Sequence, residues 1–375
     1  MAAVTLRYNQ KPIRVGEMKV ELIWFDSMGA KSSSFLIHTP DTKIFVDPGV
    51  AVMQPSYPLS DQDKLKLANK AFELIKKKAK QAEYIFISHY HYDHHTLPSE
   101  ENNIYRGKTL WMKDPNQWIN HSQWERAREF LYELHQTCLE KSLDDKSIRP
   151  VNTSFDDPIK NLNFACMKDY GDYQKRREEL LQKGQKWFER TSRIWSENPW
   201  VKEFKSKNIQ VIFADGKEFE IGKTKIKITP PLFHGIEYDR VGWVIALVIE
   251  HNRKKILYSS DLQGPTIEDY AEWIIDENPD LLILDGPASY LFGYMVNRIN
   301  LQRAIDNMIA IIKKIKAKLI IYDHHLLRDH LYKERMAEVY REAKKSRKRV
   351  ITAAEWFGKE PLILRLTKDH SKKSK

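Results

Sequence analysis

Three observations predict a mixed α/β domain: short apolar strands joined by turns at the start of the chain, helix–strand units towards its end, and no internal repeat. With 375 residues and 42% hydrophobic content, the chain can build one large domain or two small ones around a sizeable core.

The elements follow in order. Lys19–Phe25 is a strand running into the loop Ser27–Ser34, where Gly29 and serines favour irregular backbone. Ser34–His38 turns at Thr39-Pro40-Asp41-Thr42 into Lys43–Val46, and Asp47-Pro48-Gly49 closes that strand with turn chemistry. Residues 61–80 place Leu65, Leu67, Ala68, Ala71, Phe72, Leu74 and Ile75 at helical spacing, with lysines outside. Tyr84–Ile87 is a short buried strand ending on the densest histidine cluster in the chain. Residues 101–206, rich in Trp, Arg, Glu and Asn, carry helical stretches near 122–140 and 173–196, the first with a capping box at Ser122 and Glu125. That segment reads as a mostly helical insertion, either a stabilising flap or a lid over a substrate pocket. Strands return at 209–213, 217–221 and 224–229, and Trp243–Glu250 pairs with Lys255–Ser259 around His251-Asn252-Arg253. Leu281–Leu284 is a buried strand ending at Asp285-Gly286-Pro287. An amphipathic helix at Leu301–Lys316, a strand at Leu319–Tyr322, a helix over 328–345 and a strand near 350 complete the pattern. Residues 1–366 therefore form a single domain with 101–206 inserted, followed by a basic flexible tail, 367–375.

Composition excludes several classes. No stretch of 18 or more apolar residues occurs, so no membrane-spanning helix is expected. The first twenty residues lack the apolar run of a signal peptide, and two cysteines, Cys138 and Cys166, cannot form a disulfide framework or a Cys-rich zinc site. A cytoplasmic setting is the expectation. The net charge of +11 lies wholly in residues 301–375, which carry 20 Lys and Arg against 9 Asp and Glu. Solvated helix faces account for such an excess, and so does a basic rim beside a site that handles phosphate or nucleic acid.

The chemistry is carried by Ser88-His89-Tyr90-His91-Tyr92-Asp93-His94-His95. Four donors, His89, His91, Asp93 and His94, fall within six residues at a strand end. A loop leaving a strand turns tightly, so one pair can face one side and the second pair the other. Imidazoles and a carboxylate suit Zn²⁺ and related divalent ions. Further donors stand just past later strands: His234 before Gly235, Asp261 after Ile256–Ser260, and His324 and His325 after Asp323. Each alone reads as a hydrogen-bonded core group. As a set they complete two coordination spheres.

The order Asp47, His89-x-His91-x-Asp93-His94, His234, Asp261 and His324 resembles the five-motif pattern of the metallo-β-lactamase-fold superfamily, over roughly residues 18–100 and 207–360. The resemblance implies a four-layer αββα sandwich with a binuclear metal site along one edge of the two sheets. It implies one metal on His89, His91 and His234, a second on Asp93, His94 and His324, and Asp261 bridging both, with Asp47 orienting the ligand loop rather than binding metal. His325 is the alternative to His324. The phrases Ser27-Met28-Gly29-Ala30-Lys31-Ser32, Ser260-Asp261-Leu262-Gln263-Gly264-Pro265, Leu284-Asp285-Gly286-Pro287 and Asp323-His324-His325-Leu326-Leu327-Arg328-Asp329 further resemble a largely archaeal, hydrolase-like branch with no known substrate. Only 63 positions separate Asp261 from His324, too few for the extra domain of β-CASP nucleases. His91 stands where flavodiiron proteins have Glu, which argues against redox iron. His95-Thr96-Leu97-Pro98 lacks the glycine typical of tRNA 3′-processing and glyoxalase II enzymes.

The expected function is a metal-dependent hydrolase with two divalent ions, Zn²⁺ before Mn²⁺ or Fe²⁺. Ions ~3.5–4 Å apart lower the pKa of a shared water towards ~7 and stabilise the charge that develops on attack at carbon or phosphorus. Asp93 is expected to orient the nucleophile as well as bind metal. Tyr92, His95 and His325 are candidates for touching substrate or relaying a proton, and otherwise pack around the ligand loops. The basic last fifth tilts the substrate towards phosphoesters over carboxylic esters or lactones. The competing readings are a nuclease or RNA-binding enzyme using that basic region, and a non-catalytic scaffold held together by its metals.

Overall fold

The computed structural model describes residues 11–99, 103–139 and 147–373. Two sheets face each other in an α/β sandwich. The first has eight strands in the order Ile13–Val15, Met18–Phe25, Ser33–His38, Lys43–Val46, Tyr84–Ile87, Lys108–Met112, Ile209–Phe213 and Phe204–Lys205. The second has seven: Glu218–Ile221, Thr224–Ile228, Leu247–His251, Lys254–Tyr258, Leu281–Asp285, Leu319–Asp323 and Arg349–Ile351. Each begins as antiparallel hairpins and continues with parallel pairs. The sequence predicts that switch, because tight turns join antiparallel neighbours while parallel neighbours need a helical crossover. The crossover helices are Asp61–Ala79, Glu268–Glu277, Arg298–Lys314 and Ala337–Lys345.

Local signals set the helix ends. The Ser60 side chain accepts from the Asp63 amide to cap the first helix, and Leu67, Ala68, Ala71, Ile75 and Ala79 bury one stripe of it. Asn297 caps Arg298–Lys314 in the same way through Asn300. Between the sheets lies one continuous core, crossed by an edge-to-face contact of Phe35 on Tyr258 with ring centroids 5.1 Å apart. The parallel strands run in one direction within each sheet, so their carboxyl ends gather along one edge, where α/β sheets usually place ligands.

Four expectations need correction. Lys108–Met112, inside the segment read as insertion 101–206, is a strand of the first sheet, parallel to both Tyr84–Ile87 and Ile209–Phe213. Only the chain after it leaves the sheet, in helices His121–Leu139 and Gln174–Glu197. The first of these is capped by Asn120, which accepts from the Gln123 amide, and not by Ser122, which already lies inside the helix. The helix expected over 328–345 is broken into a turn at His324–Arg328, Tyr332–Arg335 and Ala337–Lys345. Leu362–Lys373 is helical where a flexible tail was expected from 367, because Leu362 and Ile363 are buried; residues 374–375 lie outside the described residues.

The helical segment is fastened by aromatics. Trp118 and Phe188 stack at 5.5 Å, and Trp187 stacks on Trp243 at 5.5 Å, tying Gln174–Glu197 to the strand Trp243–Val244. Among the described residues no helix is long and apolar enough to cross a membrane.

Candidate metal centre

Each donor singled out in the sequence stands just past a strand end on the shared edge. The strand Tyr84–Ile87 delivers Ser88 and the His89–His95 loop, whose backbone lies directly on Gly49. A Cβ at that glycine would overlap the backbone of His94 and His95. The ribbon Leu232–Phe233 with Trp243–Val244 delivers His234, and the strands Lys254–Tyr258 and Leu319–Asp323 deliver Asp261 and His324.

Asp261 sits at the middle. Its Oδ2 lies 3.5 Å from His89 Nε2, 3.2 Å from His94 Nε2, 3.2 Å from His234 Nε2 and 3.3 Å from His324 Nε2. His91 Nδ1 lies 3.0 Å from His89 Nε2, and Asp93 Oδ2 lies 3.8 Å from His324 Nε2. Two groups of donor atoms result, each within 4.8 Å: His89, His91, His234 and Asp261, and Asp93, His94 and His324. Asp261 with His324 and His325 forms a third. All seven donors named from the sequence are thus brought together.

The four rings facing Asp261 are held from behind. Asp47 Oδ2 lies 2.8 Å from His94 Nδ1, Asp26 Oδ1 lies 2.9 Å from His324 Nδ1, Ser88 Oγ lies 3.0 Å from His89 Nδ1, and the Gln263 amide lies 3.1 Å from His234 Nδ1. An Nδ1 that donates, as to Asp47, Asp26 and the Ser88 hydroxyl, leaves Nε2 free for a ligand and sets the ring's direction; at His234 the Gln263 amide does the same with its oxygen turned to Nδ1. Asp47 is itself fixed by the Ser88 amide (2.8 Å), the Ser88 hydroxyl (2.7 Å) and the Tyr258 hydroxyl (2.7 Å). Holding these atoms in place strains the chain: Asp47, Ser260, Gln263 and His324 all have left-handed backbone, with φ of 45°, 53°, 50° and 67°.

Charge is concentrated without ordinary partners. Burial would raise the Asp261 carboxyl, but His94, His324 and His89 around it hold it well below the usual carboxylate range. Burial opposes charge on His94 too, yet Asp261 and Asp47 raise its pKa to about 10. Asp261 Oδ1 and His234 Nε2 are buried with no hydrogen-bond partner, a costly state for polar atoms. Imidazoles fixed through Nδ1, a shared carboxylate and orphaned donor atoms together fit divalent metal ions, whose entry would displace protons from these groups.

His324 and His325 differ in position. His324 turns Nε2 into the cluster, whereas His325 gives Nδ1 to Asp285 at 3.0 Å and lines a neighbouring cavity of about 370 Å³. Tyr92 and Asp93 line the same cavity. His95 does not. Its Nδ1 lies 3.0 Å from the His91 carbonyl, and its ring packs against Phe130 and Tyr90 behind the loop.

Several residues at the site were given no role in the sequence. Arg328 donates to Asp26 Oδ2 at 2.7 Å and Asp93 Oδ2 at 3.1 Å, locking two loops 302 and 235 positions away. Asp285 accepts from the amides of Gln263 (3.0 Å) and His325 (3.2 Å), and its carboxyl is pushed up to about 8 by burial and then by Asp261. Asp26 and Arg328 lie one and five residues past a strand and Asp285 ends one, so the position that marked the other donors could have marked these residues, though not their partners.

The family model described as Metallo-beta-lactamase superfamily matches residues 29–95, which include the whole histidine loop. A UPF0282 protein of Methanopyrus kandleri is 32% identical over 365 residues, 94% of this chain and 98% of the relative. One from Metallosphaera sedula is 30% identical over 357 residues, 92% of this chain and 90% of the relative. Among solved structures, the metallo-beta-lactamase fold protein YhfI from Bacillus subtilis is similar at 14% identity, covering 89% of this chain and 94% of that one with a TM-score of 0.37. This chain belongs to the UPF0282 family, within the metallo-β-lactamase superfamily.

Proposed function

We propose that the chain is a hydrolase in which His89, His91 and His234 hold one divalent ion, Asp93, His94 and His324 a second, and Asp261 both. One observation carries the reading: the Nε2 atoms of His89 and His234 from the first donor group, and of His94 and His324 from the second, converge within 3.5 Å of a single buried carboxylate oxygen, Asp261 Oδ2. A structural zinc site closes with four ligands and needs no shared carboxylate, which speaks against a scaffold role. Zn²⁺ suits the donors, with Mn²⁺ or Fe²⁺ as alternatives. Divalent ions held there supply Lewis acidity and a nucleophile at neutral pH by bringing the pKa of water towards ~7.

The chain's own residues do the rest. Asp93, anchored by Arg328, orients the nucleophile. Arg328 and the nearby Lys31 line the cavity and put positive charge where an oxyanion develops. His325 faces the cavity with its imidazole held neutral by burial, and it passes its Nε2 proton to the leaving group while its Nδ1 takes a proton from the Asp285 carboxyl, which burial pushes up to about 8. These cations favour phosphoesters over neutral esters or lactones. The basic last fifth lies mostly away from the cavity, so we rest the phosphoester reading on the cavity cations and not on that region. Of its Lys and Arg among the described residues Arg328 alone lines the cavity, and Lys313, Lys314, Lys316, Lys333, Arg335 and Lys368 are ion-paired with acidic neighbours.

Elemental analysis should give a metal-to-protein ratio of about two, falling in His91→Ala. A ratio near zero after metal repletion, in folded protein, would sink the proposal. The two histidines once grouped as proton relays should separate. His325→Ala should lower kcat on a chromogenic phosphodiester by about 10²–10⁴-fold and flatten one limb of the pH–rate profile. His95→Ala should leave that profile in place, since its ring lies behind the ligand loop. The reverse pattern would remove His325 from the mechanism.

A further inference from the structure

We infer that the cavity beside the metal centre is built for an organic phosphate, its anionic head held by Lys31 and Arg126 and its apolar body lying on the loop Tyr290–Val296. The place of reaction rests on the hydrolase reading; the binding itself does not.

Lys31 and Arg126 both line the cavity of about 370 Å³, from opposite parts of the chain. Lys31 enters from the first sheet, held by the backbone bridge to Ala51. Arg126 enters from the helix His121–Leu139, its guanidinium 5.0 Å over the Tyr92 ring. Both are half-buried, and neither makes an ion pair among the described residues. Arg328 on the same wall differs, for it already has Asp26 and Asp93. A half-buried cation without a counter-ion is costly, and two facing one cavity define the charge of what enters it. Burial, and then Arg328, push the Lys31 ammonium down, against Asp93 and Asp26, which act the other way without forming an ion pair with it. The wall acids do not fill that role: Asp93 is taken by Arg328, and burial pushes the carboxyl of Asp239 up.

Part of the cavity lining is apolar. Tyr290, Leu291, Met295 and Val296 form it, and the same short loop carries Phe292 at 41%, Tyr294 at 87% and Met295 at 62% exposure. Large apolar side chains grouped at a cavity mouth mark contact with a ligand more than scattered ones do. The loop is preformed. A backbone bridge joins Phe292 to Val296, the Arg335 guanidinium lies 5.2 Å over Phe292, and Asn297 donates to the Tyr173 hydroxyl at 3.0 Å. The volume suits a phosphorylated small molecule rather than a polymer.

Calorimetric titration with phenylphosphonate, which cannot be hydrolysed as an ester, tests the idea on metal-free and metal-loaded protein. Phenylphosphonate should bind at least about tenfold more tightly than methylphosphonate, and neutral benzamide should not bind measurably. Lys31→Met, which keeps the apolar stem, and Arg126→Gln should each weaken phenylphosphonate by about tenfold, and Lys31→Arg should restore most of the loss. Thermal unfolding of each variant reports whether it is folded. Unchanged phenylphosphonate binding in both Lys31→Met and Arg126→Gln would overturn the assignment, as would benzamide or benzoate binding as well as phenylphosphonate. Lys31-dependent binding in a protein that holds no metal would keep the inference while the hydrolase reading falls. A two-metal protein that hydrolyses neutral esters and ignores phosphonates would do the opposite.

Discussion

Asp261→Asn is expected to take the metal-to-protein ratio from about two to one or less and to lower hydrolysis by at least about 10³-fold. Asp261 Oδ2 lies within 3.5 Å of the Nε2 atoms of four histidines from three separate stretches of chain. No other carboxylate among the described residues belongs to both a His89–His91–His234 group and a group containing His324. An amide is neutral and offers one oxygen, so the two donor groups would lose their common anion while keeping their shape. The residues behind the rings supply the contrast. Asp26→Asn leaves every donor present and disturbs the orientation and basicity of His324 together with the Arg328 anchor of Asp93, which should weaken metal by about 10–100-fold and still allow two ions at saturation. Elemental analysis after dialysis, with a chelator competition titration, separates a lost site from a weakened one. Two tightly held ions in Asp261→Asn would remove its bridging role.

What could be read in the sequence and what could not divide along physical lines. The His89–His95 loop is legible because donor density within one turn has no other use. His234, Asp261 and His324 are legible because each follows a buried apolar strand, and strand ends on one edge converge. Asp26, Gln263, Asp285 and Arg328 act through partners that folding brings from afar. Asp26 meets His324 across 298 positions, and no local pattern reports such a pairing. The left-handed backbone at Asp47, Ser260, Gln263 and His324 is equally silent, since none is a glycine. The strand Lys108–Met112 was hidden by the polar texture around it; with sheet neighbours on both sides it needs only a short apolar core, Leu110 and Trp111. At the other end, the lysines near the C-terminus masked Leu362 and Ile363, and a Cβ at Gly29 would collide with Leu362, so the last helix is seated on the loop before the first ligand strands.

Glu237→Gln should destabilise the fold by about 3–5 kcal/mol at neutral pH and should do so less and less as pH falls. Glu237 stands three residues after His234 and is the hub of a buried network. Its Oε1 accepts from Arg177 at 2.8 Å and from Arg303 at 2.7 Å, its Oε2 accepts from Arg303 at 3.0 Å, and Arg303 also donates to Glu268 at 3.0 and 2.7 Å. Arg177 begins the long helix Gln174–Glu197 that leaves the sheet, whereas Arg303 and Glu268 lie on crossover helices of the second sheet. The network therefore fastens the helical segment to the sandwich beside the metal centre. The glutamine variant keeps the volume but leaves two buried guanidiniums around a neutral amide. Burial alone would raise the Glu237 carboxyl; Arg303 and then Arg177 overcome it and lower its pKa from 4.5 to about 2. A pKa lowered on folding stabilises the native state above the unfolded value and loses that contribution as pH falls through the folded one. The wild type should thus lose about 3 kcal/mol from this group between about pH 4.5 and about pH 2, and the glutamine variant should lose nothing there from position 237. Urea midpoints for both proteins at pH 7 and pH 3 check the sign, since the gap between them must narrow at the lower pH. A gap that stays constant would mean that Glu237 is held by packing rather than charge, and the helical segment would then owe its position to the Trp118, Trp187 and Trp243 stacks and to contacts such as the Phe164 and Ala165 amides on Asp269.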